Sequence, residues 1–352
     1  MSSPTGTAAV DVADVICLGE SMVTFLPSQP GRLADVPSFA RAIGGAESNA
    51  ACALAAAGHR VRWVSRVGTD GFGDHLIRAI AAYGVDTSAV GRDPHRPTGI
   101  YFRTATDRAT DAHEVVYYRR GSAASAMSPA TVPPETLDAA RVLHVSGITA
   151  ALSGDCLALM RALTACRPGR PLISFDVNHR PGLWRDDSGA RVLLELARGA
   201  DLVFVGEDEA ETAWDLHGPA AVRAALPEPA VLVVKQGAEG ATMFASDPAA
   251  GTAGDTITFV PAPRVDVVAP VGAGDAFAAG YLSARLRGLP PRELLRHGHL
   301  WAAAALTVPG DLATPPDTAH ADRLAALDDA TWRTLRLGPG WTAAADEEVR
   351  TP

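Results

Sequence analysis

What most constrains this chain is a set of short apolar runs separated by alanine- and leucine-rich stretches. The runs are Val15-Ile16-Cys17-Leu18-Gly19, Val61-Arg62-Trp63-Val64-Ser65, Arg141-Val142-Leu143-His144-Val145, Pro171-Leu172-Ile173-Ser174-Phe175, Leu202-Val203-Phe204-Val205 and Ala230-Val231-Leu232-Val233-Val234. Each is too short for an ordinary helix and rich in β-branched residues, so each reads as a strand buried on both faces. Between them, residues 47–57, 72–83, 155–165, 190–197 and 218–226 have helical spacing. Strands alternating with helices imply βαβ units and a mostly parallel α/β sheet with helices on both faces.

Two stretches, 22–40 and 98–120, break the rhythm. The second contains Gly99-Ile100-Tyr101-Phe102-Arg103-Thr104 and Glu114-Val115-Val116-Tyr117-Tyr118-Arg119, on either side of a polar turn at 106–111. Aromatic and β-branched residues in this arrangement suit antiparallel strands. We therefore expect a small β lid from 22–40 and 98–120, standing on an α/β core of 14–21, 41–97 and 121–330. Residues 1–13 and 338–352 are expected to be flexible tails.

The formal charge of -9 supplies no basic field for a polyanion, which argues against nucleic acid as a partner. No apolar run approaches the ~20 residues of a membrane span, and the start of the chain lacks a secretory signal pattern. Cys17, Cys52, Cys156 and Cys166 form no CxxC pair, which suggests reduced, buried thiols and a cytoplasmic setting. Lys235 is the only lysine, and it lies between Val234 and Gln236. A Walker A loop is thereby excluded, so any nucleotide chemistry needs another phosphate cradle.

Ala269-Pro270-Val271-Gly272-Ala273-Gly274-Asp275-Ala276-Phe277-Ala278-Ala279-Gly280 offers one. Small residues lead into a helix, so the N–H groups of Gly272, Ala273 and Gly274 can close around a phosphoryl group at the positive end of the helix dipole. Asp275 falls in the first turn, beside whatever those groups hold. A helix capped by aspartate after a glycine turn is the plainer alternative. It leaves both glycines and the run of small residues unexplained.

Other polar groups fall at strand ends, where ligands collect in open α/β sheets. One strand runs into Asp176-Val177-Asn178-His179-Arg180, another into Gly206-Glu207-Asp208-Glu209, and a third into Lys235-Gln236-Gly237-Ala238-Glu239-Gly240. The glycines of the last either admit a nucleotide or make a hairpin turn. Ile43-Gly44-Gly45-Ala46-Glu47-Ser48-Asn49 is a glycine pair opening a helix.

On these residues the chain resembles the ribokinase-like carbohydrate kinases, the phosphofructokinase-B family, over roughly residues 15–327. The signatures are Gly44-Gly45-Ala46 with Asn49, extended by Arg66-Val67-Gly68-Thr69-Asp70 and Gly73, and Gly272-Ala273-Gly274-Asp275-Ala276-Phe277. Within the family it is most similar to the 2-keto-3-deoxygluconate kinases, through Gly19-Glu20-Ser21-Met22, Thr98-Gly99-Ile100-Tyr101, Tyr117-Tyr118-Arg119-Arg120-Gly121-Ser122-Ala123 and the Asp176 to Arg180 loop with Leu183-Trp184.

The resemblance implies a ribokinase-like three-layer α/β/α domain with a β lid. It also implies ATP- and Mg²⁺-dependent phosphorylation of a keto-deoxy sugar acid. Asp275 becomes the general base, and Gly272, Ala273 and Gly274 become the anion hole. Gly44, Gly45, Asn49, Tyr101, Tyr117, Arg119, Arg180 and Asp311 fall on the sugar side. Lys235, Gly237, Gly240, Gly272, Gly274 and His299 fall on the nucleotide side, and Glu209 holds magnesium through water. An arginine pair suits a substrate carboxylate, because guanidinium and carboxylate match in plane. The chain departs from many relatives at Gly206 and His299, where they carry Asn, and at Ala269, where they carry Asp. A homo-oligomer joined through the lid is expected, because an isolated two-strand flap is marginal in water.

Overall fold

The structure is a computed structural model, and it describes residues 12–29, 31–104, 114–184, 186–246 and 254–343. In chain order the first elements are β1 (Ala13–Leu18), β2 (Met22–Pro27), β3 (Phe39–Gly44), α1 (Ala46–Ala56), β4 (Val61–Gly68), α2 (Gly71–Ala81), β5 (Val90–Asp93), β6 (Ile100–Arg103) and β7 (Val115–Tyr118). Next come α3 (Pro134–Asp138), β8 (Ala140–Ser146), α4 (Gly147–Ala151), α5 (Gly154–Thr164), β9 (Leu172–Asp176), α6 (Ser188–Arg198), β10 (Leu202–Gly206), α7 (Glu207–Trp214), α8 (Pro219–Ala225) and β11 (Val231–Lys235). The chain continues through β12 (Gly240–Ala245), β13 (Thr256–Pro261), β14 (Arg264–Val265), α9 (Ala273–Leu286), α10 (Pro291–Leu306), α11 (Thr318–Ala325), α12 (Asp329–Thr334) and β15 (Arg336–Leu337).

Nine strands form the main sheet in the order β13-β12-β11-β10-β9-β8-β1-β4-β5. From β11 to β5 every neighbouring pair is parallel; β12 and β13 add an antiparallel edge. Side chains alternate across it as the two-residue period of a strand demands. Val15, Cys17, Leu202 and Phe204 pack with α1, α9 and α10, whereas Ile16, Leu18, Val203 and Val205 pack with α5 and α6. This is the three-layer ribokinase-like fold expected from the strand–helix rhythm.

Helices α9 and α10 lie unusually close. A methyl group at Gly280 would come within 2.5 Å of the His297 carbonyl oxygen, and one at Gly298 within 2.9 Å of the Phe277 ring. Only glycine fits at those two crossings.

The second sheet has four strands, in the order β3-β2-β6-β7. It is therefore larger than the two-strand flap pictured above, and β3 carries it to Gly44, past the expected lid boundary at 40. Phe25 stacks on Phe102 at 4.7 Å, and Phe39 meets the Phe102 edge at 5.2 Å. Phe25 also reaches Phe72 of α2 at 5.8 Å, which docks the lid on the core. Alternation along β6 sends Phe102 to this aromatic face and Tyr101 and Arg103 to the opposite one.

Some expectations require correction. Gly338 to Ala343 are not a loose tail: they follow directly on β15, and Trp341 is buried against the core. Ala13 likewise belongs to β1. Cys17, Cys52 and Cys156 are buried, but Cys166 is exposed because it follows the end of α5. The stretch after Lys235 is a hairpin turn between β11 and β12. The polar turn at 106–111 and the extreme ends of the chain lie outside the described residues.

Candidate active site

A cavity of about 290 Å³ opens between the lid and the carboxyl ends of the parallel strands. Three ladders deliver its floor: β9 ends at Asp176, β10 leads into α7 with Glu209, and β11 ends at Lys235. The lid supplies Tyr101, Arg103, Val115 and Tyr117, and the corner between β3 and α1 supplies Gly44, Gly45 and Asn49. Gly272, Ala273, Gly274 and Asp275 close the remaining side.

Gly272 starts α9 with φ +73°, and a Cβ there would lie 2.3 Å from the Asp311 carbonyl oxygen. Both facts require glycine. The helix then begins with its free N–H groups at the cavity, where a phosphoryl group would complete their hydrogen bonds.

The charges lining the cavity are sorted into pairs. Lys235 Nζ donates to Asp176 Oδ1 and Oδ2 at 3.1 and 3.0 Å. Arg119 lies 2.5 Å from Glu20 Oε2, Arg103 3.0 Å from Asp311 Oδ1, and Arg180 3.8 Å from Glu209 Oε1. Asp275 is the carboxylate left without an ion pair among the described lining residues. Its Oδ2 instead accepts a 2.9 Å hydrogen bond from Asn49 Nδ2.

Burial pushes the Asp275 carboxyl up to about 6, with Asp176 adding to the rise and Asn49, Lys235 and Arg180 opposing it. A carboxylate of that strength is ionised at neutral pH yet is a better proton acceptor than an ordinary aspartate. Burial also raises Glu209, whose Oε2 accepts the Gly206 N–H at 3.0 Å. Burial pulls the Lys235 ammonium pKa down, but Asp176 and Glu209 outweigh it and hold the ammonium above its usual range.

Among the described residues, Asn49 Oδ1 and Asn178 Oδ1 are buried without a hydrogen-bond partner. Asn178 is also held at φ +42°, in the left-handed region. Unmet acceptors on a cavity wall are what a polyhydroxyl ligand would satisfy.

The cavity brings together Gly44, Gly45, Asn49, Tyr101, Tyr117, Arg119, Arg180, Glu209, Lys235, Gly272, Ala273, Gly274, Asp275 and Asp311. Three expected positions stand elsewhere. Gly237 lies in the hairpin turn and Gly240 opens β12, neither lining the cavity. His299 is buried in α10, edge-on to Phe277 at 5.2 Å, with Nε2 3.1 Å from the Val260 carbonyl. Burial pulls its pKa down to about 4, so it is neutral and carries its proton on Nε2.

Glu20 holds the Arg119 guanidinium, and Ser122 and Arg119 together satisfy that buried acid. Asp176 and Asn178, in the strand-end loop flagged above, also line the cavity, as do Glu20 and Arg103. Arg103 could have been found from its spacing, since it stands two residues from Tyr101 on the same strand face.

The pfkB family carbohydrate kinase profile matches residues 12–318 of this chain. The chain belongs to the pfkB family of carbohydrate kinases. It is 35% identical over 305 residues to a 2-dehydro-3-deoxygluconokinase of Bacillus subtilis, covering 85% of this chain and 91% of that protein. It is 33% identical over 314 residues to the 2-dehydro-3-deoxygluconokinase of Thermoproteus tenax, covering 88% and 93%. The crystal structure of a sugar kinase from Pyrococcus horikoshii in complex with ATP superposes with a TM-score of 0.75 at 25% identity, over 90% of this chain and 99% of that one. This pfkB chain is thus a sugar kinase. No helix among the described residues is long and apolar enough to cross a membrane.

Proposed function

We propose that this kinase phosphorylates 2-keto-3-deoxygluconate at its terminal 6-hydroxyl, giving the 6-phosphate and ADP, a step of Entner–Doudoroff-type sugar-acid breakdown. Asp275 takes the hydroxyl proton, the sugar oxygen bonds to the γ-phosphorus, and the bond from that phosphorus to the ADP oxygen breaks. The N–H groups of Gly272, Ala273 and Gly274 hold the transferred group while charge moves from one oxygen to the other. Because phosphoryl transfer depends mostly on alignment and charge stabilisation, this constellation is sufficient in kind.

The observation that carries the substrate assignment is Arg180. Its side chain is 57% exposed, and its nearest acid, Glu209, is at 3.8 Å. Of the cavity's cations it is the one with freedom to form a bidentate pair with a substrate carboxylate. The two 2-dehydro-3-deoxygluconokinases described above support the same reading.

Among the described residues no cluster of three or more potential metal ligands is present. Magnesium does not need one, since it is commonly held by one or two carboxylates, phosphate oxygens and water. Glu209 and Asp176 fit that pattern. When bound, the ion would neutralise phosphate charge, and the reaction is expected to require it. Gly237, Gly240 and His299 are proposed to shape the adenine side from behind the cavity wall. The lid's outer face exposes Tyr118 at 63% and Val116 at 41%, which supports a second copy of the chain as its cover. We place the enzyme in the cytoplasm.

An ADP-release assay over 2-keto-3-deoxygluconate, its galactonate-derived epimer, fructose and ribose tests this directly. The sugar acids are expected to be preferred. Arg180→Ala should raise KM for the acid about 10- to 100-fold, the effect of removing one charge-assisted pair, with KM for ATP little changed. A fructokinase or ribokinase would prefer a neutral sugar and be indifferent to Arg180→Ala, and that result would sink the assignment.

A further inference from the structure

We infer that Arg103, which no motif singles out, is a positioning residue for phosphoryl transfer: its ion pair with Asp311 clamps the lid to the rim of the anion hole. The inference rests on the reading above only in that the enzyme phosphorylates a sugar.

Arg103 ends β6 with its side chain 9% exposed, and its guanidinium lies 3.0 Å from Asp311 Oδ1. Tyr101, two residues earlier on the same strand face, donates its hydroxyl proton to Asp311 Oδ2. One lid strand therefore faces both oxygens of that carboxylate, Oδ2 through a hydrogen bond from Tyr101 and Oδ1 through the ion pair with Arg103. Asp311 lies between α10 and α11 in a segment without regular structure, so side-chain bonds rather than a ladder set its place.

Its other contacts lead away from the lid. The Asp311 carbonyl oxygen packs so tightly on Gly272 that a methyl group there would approach within 2.3 Å. At the corner between β3 and α1, a methyl group on Gly44 would come within 2.6 Å of Asp311 Oδ2. One residue thus touches the lid strand, the sugar-side corner and the first residue of the anion hole.

Arg103 is the cation that makes this arrangement tolerable. The Asp311 side chain is 7% exposed, and a buried carboxylate without a counter-charge is costly. Without Arg103, Asp311 would keep one phenol partner and repel the anionic substrates. Turning it toward water would move the chain that rests on Gly272.

The test compares Arg103→Met, Arg103→Lys, Asp311→Asn and the Arg103→Met, Asp311→Asn double variant with the wild type. It uses whichever sugar of the panel the wild-type enzyme phosphorylates. The readouts are kcat, KM for sugar and for ATP, the ratio of sugar phosphate to ADP, and the thermal midpoint. Arg103→Met is expected to lose about 10²-fold in kcat/KM, the effect of misplacing reacting groups by ~1 Å. Its KM for sugar should rise while that for ATP stays within about twofold, and ADP should exceed sugar phosphate because an unclamped lid admits water. Arg103→Lys should recover most of the loss, and the double variant should be no worse than the poorer single one.

Wild-type kcat, KM and coupling in Arg103→Met would overturn the inference, as would losses that add in the double variant. A loss confined to the thermal midpoint, equal in the Met and Lys variants, would make Arg103 a structural residue only. If the wild type accepts neutral sugars alone, the sugar-acid assignment falls and the Arg103 comparison proceeds on the accepted sugar.

Discussion

Asn49→Ala asks most directly whether Asp275 is the base. The Asn49 amide donates a 2.9 Å hydrogen bond to Asp275 Oδ2, and it is the largest of the influences that hold this carboxyl at about 6 against burial. A hydrogen bond to a charged group contributes about 1.5–3 kcal/mol, and one pKa unit corresponds to about 1.4 kcal/mol. Losing the bond should therefore raise the carboxyl by about one to two units, the lower figure applying if water replaces the amide. A base must be ionised to work, so activity falls as pH drops through its pKa. The kcat/KM profile of the wild type should fall on the acid side with a midpoint near 6. That midpoint should move to roughly 7–8 in Asn49→Ala. At pH 7 the ionised fraction would fall from roughly 90% to between about 10% and 50%. Much of the lost rate should return at higher pH, leaving only the deficit from the missing Asn49 Oδ1 contact. An acid limb that stays put, or moves down, would refute the assignment of that limb to Asp275.

Asp275→Asn should lower kcat by about 10²- to 10⁴-fold while leaving ATP binding intact, as isothermal titration would report. The same variant should be more resistant to urea than wild type above pH 6, because the folded pKa is raised above the unfolded value of 3.8 and the fold is penalised by the charged form. That advantage should fade as pH falls through 6 toward 3.8. Glu47 offers a parallel case away from the chemistry: burial raises it to about 8, although Thr149 Oγ1 donates to it at 2.8 Å. Wild-type stability should therefore decline between the unfolded value of 4.5 and about 8, and Glu47→Gln should flatten that decline; an unchanged pH dependence of the urea midpoint would contradict it. Gly272→Ala should cost about 1–3 kcal/mol in denaturant titration, since its φ of +73° and the Asp311 carbonyl both oppose a side chain. A Gly272→Ala enzyme with wild-type kcat would show that the anion hole tolerates displacement.

The strands that carry the site were legible because strands buried on both faces advertise themselves as continuous apolar runs, as in Leu202-Val203-Phe204-Val205. The edge was not. In β13, Ile257 and Phe259 are more than half exposed, so hydrophobicity there does not distinguish inside from outside. That Asp275 and its glycines line the cavity could be read because the pattern is local: consecutive N–H groups and an acid on one helix turn. The pairing of Arg119 with Glu20 could not be read, because Glu20 is 99 residues away and only the folded chain brings them together. The pairing of Arg103 with Asp311 was hidden for the same reason, as was the burial of Trp341 in what reads as a polar tail.

The glycine crossings between α9 and α10 place a fulcrum behind Asp275, the proposed base. Gly280 is five positions from Asp275, about 7.5 Å along the helix at the usual rise of about 1.5 Å per residue. A side chain wedged at that crossing and tilting α9 by about 5° would swing the carboxylate by about 0.7 Å, close to the ~1 Å error that costs two decades of rate. Gly280 and Gly298 do not line the cavity, yet they set the aim of the Asp275 carboxylate that does. Catalytic precision in this enzyme is thus bounded by how closely two helices can pass on the far side of the reacting atoms.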